Sequence, residues 1–208
     1  MKKVFLIATV LVSTASLAQN DRFEKAMKQN LSSFETAKTS EDFNNLSNTF
    51  ERIADAEKTQ WLPYYYASLC QVLKCFQTEG DAKDKICDKA QDLLSKAEAI
   101  EKNSELECVK QMIYINRMMV DPMTRWQQYG PLGAQALAVA KKLDPSNPRP
   151  LYLEGQTVLN TPESFGGGMN AAKPILLEAK KLFENFKPAS ELHPNWGKDQ
   201  LEKLLNNK

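Results

Sequence analysis

Asn147–Phe183 reads NPRPLYLEGQTVLNTPESFGGGMNAAKPILLEAKKLF, and its periodicity writes two amphipathic helices joined through glycine. Pro148 or Pro150 suits a first helical turn, where a preset φ helps and the missing N–H is not needed. Leu151, Gly155 and Val158 then fall on one face. Thr161-Pro162 ends the pattern, because a residue before proline is pushed out of helical geometry. Beyond Gly166, Gly167 and Gly168, a second stripe runs through Ala171, Ala172, Ile175, Leu176, Ala179 and Leu182. The small residues Gly155, Ala172 and Ala179 predict two helices in close approach, near the ~8 Å end of the usual interaxial range.

The spacing of Ala172 and Ala179 recurs upstream in Gly133 and Ala140, and again in Ala90 and Ala97. A break follows each upstream pair, at Pro145 and at Lys102-Asn103, and Leu151 and Cys108 open the next helices. Self-similarity of a two-helix unit at intervals of about 40 residues points to a stacked array. The pattern of a small residue on the first helix and two alanines on the second, then a loop, resembles the tetratricopeptide repeat over roughly residues 60–183. These units exceed the family's period of about 34 residues, and the excess falls in the connections Val120–Pro131 and Asn160–Gly168. The expected fold is all-α: an α-solenoid of stacked antiparallel hairpins with eight or nine helices. The resemblance implies that first helices line a concave face that recognises protein or peptide.

The 208-residue chain begins with Met1-Lys2-Lys3, a weakly polar apolar run from Val4 to Leu17, and the small residues of Ser16-Leu17-Ala18. This is the grammar of a signal peptide over residues 1–18, and it reads as that of a Gram-negative bacterium. The run falls short of the ~20 residues of a membrane span. Residues 19–208 are expected as one helical-repeat domain, exported to the periplasm or beyond, with no membrane insertion after cleavage. Losing Lys2 and Lys3 turns the formal net charge of +1 to about −1. That balance gives no pull toward nucleic acid or an anionic membrane.

Between Asp21 and Lys38, then from Thr39 or Ser40 onward, two helices form a divergent leading hairpin. Trp61–Phe76 (WLPYYYASLCQVLKCF) is the most aromatic helix. At 100° per residue its three tyrosines cannot share a face, and Tyr65 is the one expected toward a groove unless all three simply pack. Ser104-Glu105-Leu106-Glu107 has the form of a capping box. DPMTRWQQYGP, Asp121–Pro131, is longer than most helix connections and reads as an Ω-like plug or a functional loop. The triple glycine reads as a flexible connector; an anion could bind its N–H groups, but no Gly-Lys-Ser/Thr follows.

An even cysteine count in an exported chain invites disulfides. Cys75 and Cys87 flank the Gly80 turn and form the favoured pair; Cys70 with Cys87 is the alternative in that hairpin, and Cys70–Cys108 would cross between units. No cofactor is implied, and the cysteine spacing with one histidine disfavours zinc. His193 lacks an evident acid or nucleophile partner, so His193-Pro194 is read as shaping a turn anchored by Trp196. No nucleophile–base pair stands out, which argues against an enzyme. Carrying the tetratricopeptide groove positions onto this chain gives Tyr65, Ile113, Asn116, Tyr152 and Gln156 as binding residues. Two functions follow: a protein- or peptide-binding envelope scaffold, and, as the alternative, a small-molecule or solute-binding accessory of an envelope transport system, with Phe165 and Trp126 near the mouth of its pocket.

Overall fold

The computed structural model describes residues 21–206. All regular structure among them is helical. Helix α1 covers 21–36, followed by α2 (Ser40–Glu57), α3 (Trp61–Phe76), α4 (Ala82–Ile100) and α5 (Ser104–Met118). Next come α6 (Pro122–Leu143), α7 (Arg149–Asn160), a 3-10 turn at Glu163–Phe165, α8 (Met169–Asn185) and α9 (Lys198–Asn206). The signal-peptide reading of residues 1–18 lies outside the described residues. Among those described, no helix is long and apolar enough to cross a membrane.

Helices α3–α4, α5–α6 and α7–α8 pair as hairpins, and the first helices α3, α5 and α7 touch in succession. The small residues lie where the repeat places them: Ala90, Ala97, Ala140, Ala172 and Ala179 are fully buried. At Gly155, a Cβ would stand 2.4 Å from Leu176 Cδ2 and 2.8 Å from its Cγ. Helix α7 rests directly on α8 there, so a side chain has no room. What remains of the tetratricopeptide resemblance is this coarse architecture of stacked helical hairpins.

Polar side chains fix the stack laterally. Ser47 Oγ donates to the Ala67 carbonyl (2.8 Å), and Ser68 Oγ to the Ala90 carbonyl (2.8 Å). Each buried hydroxyl crosses from one helix to the next, where an unmade hydrogen bond would cost about 1–3 kcal/mol. Thr39 starts α2 with a full capping box: its Oγ1 accepts from Asp42 N, and Asp42 Oδ2 accepts from Thr39 N.

Three local expectations are corrected. The cap of α5 is Asn103, whose Oδ1 accepts from Leu106 N at 3.1 Å; Ser104 lies inside the helix, and its Oγ accepts from Asn147 Nδ2. Residues 121–131 are not a plug but the first half of α6. Asp121 accepts from Thr124 N and Pro122 takes the first turn, so the dipeptide that ends α5 also starts α6. Arg125 ties this start to α4 through a two-pronged pair with Asp84, at 2.7 and 2.8 Å. The triple glycine is an ordered turn: the N–H groups of Gly166, Gly167 and Gly168 donate to Glu163, Pro162 and Val158 carbonyls. Those donors are committed and cannot hold an anion.

Gly155→Val should melt well below the parent, by the equivalent of about 2–3 kcal/mol, because overpacking against Leu176 outweighs any gain in helix propensity. A thermal melt followed by circular dichroism checks this.

Candidate functional site

The concave side of the stack carries a groove of about 720 Å³. Its floor comes from the first helices. Helix α3 contributes Leu73 and Phe76, α5 contributes Met112, Ile115 and Met118 with Met119 just beyond, and α7 contributes Tyr152, Leu153, Gln156 and Asn160. The far wall is Trp196 and Gln200, supplied by the C-terminal segment. Most of this lining is apolar, and methionine thioethers offer a soft surface that adapts to a bulky guest. The polar groups are few: Gln111, Gln156, Thr157, Asn160, Thr161, Gln200 and Lys83. Gln111 Nε2 bridges to Thr157 Oγ1 at 3.2 Å, joining α5 to α7, while its Oε1 is buried without a partner.

The position of Trp196 depends on a buried cation. Arg149 opens α7 and is wholly enclosed. Its Nη1 donates to Glu105 Oε1 (2.8 Å) and its Nη2 to the Pro194 carbonyl (2.6 Å). The guanidinium carbon lies 5.1 Å from the centre of the Trp196 ring and 4.8 Å from that of Phe186. Trp196 Nε1 in turn donates to Tyr65 Oη at 2.8 Å, and Tyr66 Oη to the Leu192 carbonyl at 2.9 Å. The C-terminal segment therefore fills part of the concave face, over α3, and leaves the groove beside it open. Sequence reasoning missed Arg149. Its signal was present, since an arginine in the first turn of a helix sits where the dipole disfavours a cation and needs another reason to be there.

Burial pushes the Glu105 carboxyl up to about 6, against the pull of Arg149 and the Asn147 hydrogen bond. Burial likewise pushes Tyr152 up to about 12, with a hydrogen bond to Gln156 working the other way.

The five residues carried over from the repeat family separate. Tyr152 and Gln156 line the groove. Tyr65, expected to face it, is fully buried as the acceptor for Trp196. Ile113 is core, and Asn116 is buried with its Nδ2 spent on the Met112 carbonyl. Trp126 and Phe165, placed near a pocket mouth from sequence, are exposed on other surfaces and do not line the groove. His193 lies outside it too, edge-on to Trp61 with Nδ1 2.8 Å from Ser190 Oγ, and burial lowers its pKa. A second depression of about 570 Å³ at that end is lined by Glu101, Lys102, Asp144 and Lys187 among others, a charged rim unlike the groove. All four cysteines are buried free thiols; Cys75 and Cys87 place their sulfurs 3.4 Å apart.

Among solved structures, the HusA haemophore from Porphyromonas gingivalis matches with a TM-score of 0.80 and 32% identity, over 88% of this chain and 90% of that one. The chain belongs to the HusA family. No protein-family model and no curated protein sequence matches it. The likeness to HusA covers most of the helical chain.

Arg149→Met should strand the Glu105 charge and release the segment. A loss of about 3–5 kcal/mol in denaturant unfolding and red-shifted tryptophan emission are expected. Glu105 also sets a pH slope. Its folded pKa lies above the unfolded 4.5, so its contribution is complete below about pH 4.5 and is lost as pH rises through about 6. Glu105→Gln should remove that slope from a series of melts between pH 4 and 7. Oxidised glutathione present during refolding should link Cys75 to Cys87, the two thiols passing two electrons and two protons to the reagent. Peptide mapping should then find Cys70 and Cys108 still open to alkylation.

Proposed function

We propose that this chain is an exported binding protein for a flat, largely apolar tetrapyrrole of the haem class, and not an enzyme. The observation that carries the reading is the apolar groove walled by Met112, Met118, Met119, Leu153 and Trp196, in a chain whose relative HusA is a haemophore. Its volume lies within the ~300–1,000 Å³ of ordinary small-molecule sites. A planar ring system fits between an indole wall and a methionine floor, where burial of apolar area drives association. The single histidine stands outside the groove, so contact area and not a histidine–iron bond carries affinity in this reading.

This is the small-molecule alternative from the sequence, and it displaces the peptide scaffold. The physical reason is the C-terminal segment: Leu192 and Trp196 occupy part of the face along which an extended peptide would lie. Export rests on the leader-like residues 1–18.

Titrating haem into residues 19–208 should give a saturable change in the Soret band with micromolar or tighter affinity, together with tryptophan quenching. Met119→Glu, at a half-exposed position in the groove, should weaken binding at least ~10-fold by placing a carboxylate against an apolar guest, with the fold unchanged by circular dichroism. Absence of saturable binding by the parent protein would return the question to peptide ligands.

A further inference from the structure

Lys83 is the single charged side chain among the residues lining the groove. It is also buried, only 8% exposed. Its Nζ donates to the Cys75 carbonyl at 3.1 Å. Among the described residues, no carboxylate comes within ion-pair distance of it. The acid beside it in sequence, Asp84, is committed to Arg125 through both oxygens. The other buried basic side chain among the described residues, Arg149, is paired with Glu105.

A buried ammonium held by one neutral acceptor is an expensive arrangement, because desolvation is not offset by a counter-charge. An alkyl stem of this length could carry the charge out to water, as lysines ordinarily do. Here it stays at the groove wall with two of its three N–H groups unused by the described side chains. We infer that Lys83 receives a carboxylate of the ligand, so that the groove selects flat apolar molecules bearing an acidic arm. The inference rests on the tetrapyrrole reading and narrows it, since the propionate groups of haem are such arms. The partition of the site then follows: α5, α7 and Trp196 hold the ring, and the start of α4 fixes which edge points inward. The ion pair forms beside apolar walls, where a charge-assisted hydrogen bond is stronger than in water.

The test compares haem with its dimethyl ester, which keeps the ring and removes both negative charges. Wild-type protein should bind the diacid about 10-fold more tightly than the ester, the usual worth of a hydrogen-bonded charge. Lys83→Met should bring the two within about 2-fold of each other by weakening the diacid alone, whereas Lys83→Arg should keep most of the preference. Each variant is melted first; if Lys83→Met does not fold, Lys83→Gln, which can still donate to the Cys75 carbonyl, takes its place. Equal binding of both forms by wild type, or a preference that survives loss of the lysine, removes the role given to Lys83 and leaves the tetrapyrrole reading standing. Failure of wild type to bind either form overturns both.

Discussion

Two helices can approach only as closely as the side chains between them permit. In this protein that limit is set by a few residues with almost no side chain. Gly155 against Leu176, and the buried alanines of α4, α6 and α8, let each hairpin close and each new hairpin seat on the last. Bulk at these points would push the rods apart by more than packing could recover. The curvature that makes a concave face, and with it the groove, is a consequence of those contacts.

A stack of this kind offers a generic trough. Arg149 makes it a particular site. One guanidinium grips Glu105 on α5, the Pro194 carbonyl and two aromatic rings, so the polypeptide after α8 is drawn back over the aromatic helix α3. Breaking a charge cluster of this kind by removing one member is far more damaging than its net contribution to stability, because a stranded charge remains behind. Tyr65 packs edge to face with Trp61 and Tyr66, Trp196 donates to Tyr65 Oη and Tyr66 Oη to the Leu192 carbonyl, so of the aromatic side chains of α3 only Phe76 stays open, at the groove.

The architecture was legible because small-residue spacing and 3.6-residue periodicity are local patterns. The start of α2 at Thr39 or Ser40 is readable for the same reason, and the structure places the cap at Thr39. Local patterns misled where two readings share the same residues. Asp121-Pro122 is both a stop and a start, and Ser104 matches a capping box that Asn103, one residue earlier, makes instead. Tyr65 is expected at the groove because three successive tyrosines cannot share a helix face and the repeat family has a groove position there; the partner that engages its hydroxyl, Trp196, is 131 residues away. Lys83 gave no signal at all, since its importance lies in the carboxylate it lacks. Peptide recognition was inferred from the repeat family, and the C-terminal segment that argues against it is not part of any repeat.

The groove also has a history within each molecule. Its floor is assembled from α3, α5 and α7, but its last wall comes from residues 196–200, after every other contributor in chain order. Nothing earlier in the chain supplies that wall. The groove is walled on that side only by the tail that packs against α3.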